Sequence, residues 1–210
     1  MKFSFSGSAD FTFFQSGRAK NVIAVKSDSG MMGGSVSHEF MLLTDIGEDT
    51  LAICSDENCG YKANVEVADC ITHNVESEKE ELRKIETPNV KTIEGLKHKL
   101  GVEPTRMCKA VIYQENVSDD YVVVFIRGDL EVNETKLRNY LKKEIHPATE
   151  IAPESGIVAG YIGAYGLKAD ATVVYDRSLC GINDLIAGGN EPDMHYTGLD
   201  IKRDIGDVTY

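Results

Sequence analysis

Four side chains between residues 54 and 73 are of the types that bind zinc. They form a C-x4-C pair and a C-x2-H pair, at Cys54, Cys59, Cys70 and His73. Zinc takes four such ligands in tetrahedral geometry, but the first spacing is loose, and residues 64–68 are predicted to form a helix between the pairs. The odd total of five cysteines is also typical of reduced thiols. The pattern therefore favours free thiols over a structural zinc site, and no metal or other cofactor is predicted.

The spacing does not indicate a protein nucleophile with its own general base. His38 and Glu39 are neighbours in a segment that alternates like a strand, so their side chains point to opposite faces. Cys108 could pair with His98 or His195, but nothing in the sequence requires either pairing. Covalent catalysis is therefore not the favoured interpretation.

A glycine-rich apolar segment is the third feature that could take part in chemistry. Gly156, Gly160, Gly163 and Gly166 fall within eleven residues of otherwise apolar sequence. Glycine this dense indicates main chain that turns tightly or lies against a ligand. A bulged core strand explains the same pattern equally well, and the sequence leaves both interpretations open.

Alternating helices and strands must position these groups. Thr92 is predicted to cap a helix with Ile93, Leu96 and Leu100 on its inward face, and Gly101 to end it. Residues 107–113 and 121–126 are predicted to be paired strands, and Asn133 to cap a second helix. Further strands are predicted at residues 172–175, at 185–187 and near His195. This order predicts an α+β fold: a mixed, largely antiparallel sheet or partly closed barrel with flanking helices.

Net charge limits the partners. The formal charge is −12 and the pI is near 4.9, which argues against binding DNA or other nucleic acid through bulk charge. Basic residues cluster around both predicted helices, but solvated helix faces explain such clusters. No apolar run is long enough to cross a bilayer and no signal sequence is evident, so a cytoplasmic protein without a membrane partner is expected.

Seven blocks in one order carry a family resemblance. They are S-D-S-G-M-M-G-G-S-V-S-H-E-F-M (27–41), G-E-D-T (47–50), C-G-Y-K-A-N-V-E (59–66), T-P-N-V-K-T-I-E (87–94), I-R-G-D-L-E-V-N-E-T-K-L (126–137), D-R-S (176–178) and A-G-G-N-E-P-D-M-H-Y (187–196). From about residue 21 to 204 the chain resembles the editing insertion of bacterial-type prolyl-tRNA synthetases. The resemblance implies a leader and catalytic-domain fragment at residues 1–45 and a YbaK-like editing domain at residues 46–210.

The resemblance also implies an activity and a site. The family's insertion hydrolyses alanine mis-attached to tRNA(Pro), which makes this chain an expected aminoacyl-tRNA deacylase. Thr92, Gly163 and His195 are the implied catalytic residues. Lys109, Gln114, Gly160 and Ala164 are the implied substrate-binding residues, with Gln114 at the position of the pocket lysine and Ala164 in place of a loop proline.

These two departures keep an alternative open, namely a non-catalytic tRNA-binding or structural fragment with a decayed pocket. The expected partner in either case is the acceptor end of a mischarged Ala-tRNA. Proline ligation by this chain alone is not expected, and dimerisation is expected only through the missing synthetase core.

Overall fold

The computed structural model describes residues 21–30, 37–44, 46–73, 75 and 77–210. The chain divides into a small unit, Met1–Cys70 with Asn133–Lys142, and a large unit, Ile71–Val132 with Lys143–Tyr210. Residues 1–20 of the predicted leader lie outside the described residues. The predicted boundary at residue 45, between a catalytic-domain fragment and the editing domain, was drawn from the family resemblance and not from compactness. It stays a prediction.

The small unit is a four-stranded sheet in the order β2-β1-β4-β3. Its strands are β1 (Val22–Ser27), β2 (Ser37–Leu42), β3 (Leu51–Ile53) and β4 (Lys62–Asn64). A helix that Asn133 caps belongs to the same unit, as predicted from the cap. In this helix Leu137 is buried and Tyr140 is exposed.

The helix predicted at residues 64–68 is wrong. Asn64 ends strand β4, and its side-chain oxygen accepts the Glu66 N–H at 3.1 Å. Residues 65–67 consequently form a turn. An asparagine side chain that bonds the backbone two residues ahead stabilises such a turn in place of a helix.

The large unit is built on a seven-stranded sheet. Six strands run in the order β5-β11-β10-β6-β7-β9, and β8 pairs with the far part of β6. The strands are β5 (Arg83–Glu86), β6 (Met107–Glu115), β7 (Tyr121–Arg127), β8 (Ile145–Pro147), β9 (Ala171–Tyr175), β10 (Leu185–Gly188) and β11 (Met194–Leu199). Only β10–β6 and β7–β9 are parallel pairs. The predicted mixed, largely antiparallel sheet is confirmed, and among the described strands it does not close into a barrel.

Both faces of this sheet are covered. One face carries the main core, in which Val123, Phe125 and Leu185 are fully buried. On the other face Met107 and Ile186 pack with Leu96 of helix α1 (Ile93–Leu100). The remaining helices are α2 (Glu134–Leu141) in the small unit and α3 (Ile201–Asp204) in the large one. No helix in the described parts of the chain has the length and apolar character to span a bilayer.

Helix α1 begins and ends where the sequence predicts. The Thr92 hydroxyl oxygen accepts the Gly95 N–H at 3.0 Å, which satisfies one of the free donors of the first turn. Gly101 follows in the left-handed conformation with φ of 68°, and its N–H donates to the Lys97 carbonyl. The helix therefore has a fixed start directly after Lys91.

Thr92→Ala is expected to lower the free energy of unfolding by about 1 kcal/mol, because it removes this cap. Thr92→Ser keeps the hydroxyl and is the matched control, expected to retain most of the stability. Urea unfolding followed by circular dichroism measures both. Equal loss in the two variants would contradict the capping role.

Candidate active site

Two glycines let the main chain of a loop lie directly on the sheet. A Cβ placed on Gly163 would overlap the carbonyl oxygen of Gly188, the last residue of β10. A Cβ on Gly188 would in turn overlap the carbonyl oxygens of Tyr161 and Ile162. The glycine-rich segment is therefore a loop, residues 160–164, seated on the end of β10, and the bulged-strand interpretation is wrong.

Asn190 holds this loop in shape. Its side-chain oxygen accepts the Gly163 N–H at 2.9 Å, and its Nδ2 donates to the carbonyls of Gly163 and Tyr165 at 3.0 and 2.9 Å. The Asn190 backbone N–H donates to the Tyr161 carbonyl at 2.9 Å. Four hydrogen bonds from one residue thus fix the loop before any ligand arrives.

The same contacts determine which backbone donors are available. Because the Gly163 N–H donates to Asn190, it is not free to stabilise an ester carbonyl, which corrects the role expected for it. The N–H groups of Ile162 and Ala164 have no acceptor among the described residues, although both residues are buried. These two N–H groups are therefore the loop's candidate donors to a ligand.

A buried histidine lies beside the loop. His195 is directly opposite Gly188 in the antiparallel β10–β11 pair, and it is 3% exposed. Residues opposite each other in such a pair share a face of the sheet. Gly188 has no side chain there, and the Tyr161 ring lies edge-on to the His195 ring at a centroid distance of 5.8 Å.

Thr87 is hydrogen-bonded to the His195 ring. The fully buried Thr87 hydroxyl lies 2.5 Å from His195 Nδ1. That hydroxyl also lies 3.3 Å from the Asp193 carbonyl, and it has a single hydrogen to donate. A hydrogen donated to this carbonyl would place the ring hydrogen on Nδ1 and leave the lone pair on Nε2, and this is the tautomer that we expect. Burial lowers the pKa of His195 below its ordinary value of 6.5, so the ring is neutral at pH 7.

Asp193 ties these parts together. Its carbonyl accepts the Thr87 N–H at 2.7 Å. Its carboxylate accepts the Tyr161 hydroxyl at 2.6 Å and the Asn89 N–H at 2.7 Å. The hydrogen bond from Tyr161, followed by that from Asn89, holds the pKa of the Asp193 carboxyl below its usual range. An ionised aspartate thus joins the T-P-N turn, the glycine loop and β11.

The structure brings some predicted residues together and separates others. Gly163 and His195 both adjoin Gly188, and a Cβ on Gly160 would touch the Lys91 side chain at 3.1 Å. Thr92 is exposed and caps α1 immediately after Lys91. Ala164 is buried and its side chain packs in the main core.

Lys109 and Gln114 lie at different ends of β6. Cys108 pairs with Ala187, so Lys109 follows at the level of Gly188, where its Nζ bonds Glu131 at 2.6 Å. Gln114 is six residues from Cys108, a distance of about 20 Å along a strand. There its amide donates to the Asp119 carbonyl in the β6–β7 turn. The structure therefore brings Lys109, not Gln114, to the level of the glycine loop.

Sequence reasoning missed Thr87, Tyr161, Gly188, Asn190 and Asp193. Thr87 and Asp193 stand in two of the seven blocks that carry the family resemblance, T-P-N-V-K-T-I-E and A-G-G-N-E-P-D-M-H-Y. Both blocks are rich in turn residues and adjoin strands, and the sequence shows this. It does not show that the two blocks meet, because their contact depends on the antiparallel pairing of β5 with β11.

The zinc alternative finds no support. Cys54, Cys59 and Cys70 are exposed free thiols. Within the described ranges, which include all four candidate ligands, no three His, Cys, Asp or Glu side chains come together in a way that could hold a metal ion.

Comparison with known proteins gives a consistent set of relatives. A model of the aminoacyl-tRNA editing domain family matches residues 87–199, just over half of the chain. The proline–tRNA ligase of Aquifex aeolicus (strain VF5) is 40% identical over 188 residues, which is 88% of this chain and 32% of that protein. The Bacillus subtilis (strain 168) proline–tRNA ligase is 41% identical over 189 residues, 88% of this chain and 33% of that protein. The chain thus spans about one third of the length of the curated relatives it matches.

One solved structure shows the same fold at low identity. The crystal structure of hypothetical protein APE2540 superposes with a TM-score of 0.50 at 21% identity. The match covers 56% of this chain and 79% of that one. It shows a similar fold over the matched part of the chain.

The His195 ring is expected to carry its hydrogen on Nδ1 and to titrate below pH 6.5. Nitrogen-15 NMR of histidine-labelled protein measures both properties, and a His195→Gln variant assigns the signal. Since the unfolded chain binds a proton at His195 below about pH 6.5 that the folded chain does not, this group lowers the free energy of unfolding as the pH falls. A hydrogen on Nε2, or a pKa at or above 6.5, would contradict the arrangement.

Proposed function

The chain belongs to the aminoacyl-tRNA editing domain family, in the form that proline–tRNA ligases carry, and on that premise we propose that it is a deacylase that hydrolyses alanine from tRNA(Pro). An editing role follows from the family itself. The substrate and the mechanism are the proposal.

One observation carries it: a buried His195, whose Nδ1 is hydrogen-bonded to Thr87, lies beside a loop in which the N–H groups of Ile162 and Ala164 have no acceptor among the described residues. An aminoacyl ester is already activated, so its hydrolysis needs a positioned water and stabilisation of the carbonyl oxygen more than a strong nucleophile. Backbone donors that need no rearrangement suit the developing oxyanion. The unprotonated nitrogen of a neutral imidazole can accept a hydrogen bond from a hydroxyl group or a water molecule and so hold it in place.

In the proposed reaction, water adds to the ester carbonyl carbon while the N–H groups of Ile162 and Ala164 stabilise the oxyanion. The bond from that carbon to the ribose oxygen then breaks, and the ribose oxygen takes up the proton that the water gives up. The products are free alanine and tRNA. His195 Nε2 accepts from the neighbouring ribose hydroxyl, which in turn positions the water, and Thr87 keeps the imidazole in the tautomer that allows this.

Alanine is the proposed amino acid because a synthetase cannot cleanly reject it by binding alone. A difference of one methylene is worth only about 1–3 kcal/mol in a pocket, so a ligase site that admits proline also admits smaller residues. A second site that hydrolyses what fits inside it removes the error. The fixed loop over Gly188 offers a rigid wall for such a site.

The two departures from the family pattern differ in their relation to the proposed site. Gln114 lies about 17 Å along β6 from the level of the loop, whereas Ala164 is in the loop and its side chain packs in the core. Lys109, at the level of Gly188, is the better candidate for a pocket cation. The Ala164 departure does bear on the proposed site, because a proline at that position would have no N–H to donate, and a non-catalytic fragment stays the alternative.

Two single variants, Thr87→Val and Thr92→Ala, test which threonine positions the groups of the proposed site. Thr87→Val keeps the shape but removes the acceptor for Nδ1–H, so deacylation of Ala-tRNA(Pro) is expected to fall about 100-fold, in the range typical of lost acid–base positioning. Release of labelled alanine under single-turnover conditions measures the rate, with Pro-tRNA(Pro) as the specificity control. A loss of activity in Thr92→Ala but not in Thr87→Val would assign the positioning role to Thr92. If the unaltered protein released no alanine, the proposed function would be overturned.

A further inference from the structure

One carboxylate oxygen beside the proposed site is open to a ligand. The Oδ1 atom of Asp193 accepts both the Tyr161 hydroxyl at 2.6 Å and the Asn89 N–H at 2.7 Å. Within the described residues its Oδ2 atom forms no hydrogen bond or ion pair, and this atom is not buried. The fold therefore holds the carboxylate through one oxygen and leaves the other accessible.

The charge of this carboxylate is also unpaired. Glu191, two residues earlier in the same turn, forms an ion pair with Lys84 at 2.8 Å, whereas Asp193 forms none within the part of the chain that the structure describes. The two donors to Oδ1 stabilise the ionised form of Asp193. An ionised carboxylate with an unused oxygen is suited to bind a cation, because hydrogen bonds between charged groups are stronger than those between neutral ones.

Contacts on both sides connect Asp193 with the proposed reaction groups. Tyr161, which donates to its carboxylate, comes directly before Ile162 in the loop, and the Tyr161 ring lies edge-on to the His195 ring at a centroid distance of 5.8 Å. The Asp193 carbonyl accepts the N–H of Thr87, whose hydroxyl is hydrogen-bonded to His195. The carboxylate, the loop and the histidine are thus arranged around one tyrosine ring.

An aminoacyl ester carries a group that matches this oxygen. Its α-amino group is attached to the carbon next to the ester carbonyl, and in its protonated form it is a compact cation with three hydrogens to donate. In the proposed reaction the loop N–H groups bind the carbonyl oxygen and His195 binds the ribose hydroxyl. Neither contact recognises the α-ammonium group.

We infer that Asp193 Oδ2 binds the α-ammonium group of the aminoacyl ester, so that the site prefers esters of amino acids to esters of the corresponding hydroxy acids. The inference rests on the proposed function for the ester itself. It makes Asp193 a substrate-binding residue in addition to its contacts within the protein. A contact with the α-ammonium group would orient the carbon at which water adds.

The test compares two esters of the same tRNA. Ala-tRNA(Pro) carries the α-ammonium group, and lactyl-tRNA(Pro), made from it by deamination, has an uncharged hydroxyl group there. Asp193→Asn removes the charge, keeps Oδ1 as an acceptor and suits the left-handed backbone, in which φ is 61°. At about pH 6.5, where the α-amino group is protonated, the ratio of kcat/KM for the alanyl ester to that for the lactyl ester is expected to fall about 10-fold.

Tyr161→Phe is the matched control, because it removes one donor to Oδ1 and leaves the carboxylate in the site. Any loss of activity in this variant is expected to be equal for the two esters, so that their ratio is unchanged. A ratio that Asp193→Asn does not change, or that falls equally in both variants, overturns the inference and leaves the proposed function intact. An unaltered protein that hydrolyses neither ester overturns the proposed function as well.

Discussion

The candidate site depends on one backbone contact, that of the loop at Gly163 with the end of β10 at Gly188. Neither position has room for a Cβ, because each glycine faces the carbonyl oxygens of the other segment. The contact places the backbone of residues 161–163 against Gly188, which pairs with His195. Asn190 then fixes the loop with its amide, so the loop needs no ligand to order it.

Around this contact the fold keeps a neutral histidine and an ionised aspartate side by side. His195 is neutral because burial disfavours its cation, and its Nδ1 is hydrogen-bonded to Thr87. Asp193 stays ionised because Tyr161 and Asn89 donate to its carboxylate. The same residue contributes its carbonyl to Thr87, so the ionised and the neutral group are positioned through one short segment. Such a fixed polar arrangement is suited to a reaction in which charge appears briefly on a carbonyl oxygen.

The sequence predicted the parts of the fold that local rules decide. The cap at Thr92, the left-handed end at Gly101 and the β6–β7 hairpin follow from residue types and period, and all are present. The site was harder, because Thr87 and His195 are 108 residues apart and meet only through the pairing of β5 with β11. Linear comparison put Gln114 in the pocket, whereas the register of β6 with β10 puts Lys109 at the loop. The turn at Asn64 was missed because a side-chain hydrogen bond overrides weak helix propensity there.

In the proposed site the loop's backbone N–H groups bind the ester carbonyl oxygen, and the Nε2 of His195 binds the neighbouring ribose hydroxyl. The most direct measurement is a crystal structure with 3′-alanylamino-3′-deoxyadenosine, in which an amide replaces the ester and resists hydrolysis. The account predicts the alanyl carbonyl oxygen within hydrogen-bond distance of the Ile162 or Ala164 N–H, and the 2′-hydroxyl on Nε2 of His195. An analogue bound elsewhere, or one whose carbonyl meets side chains only, would contradict it.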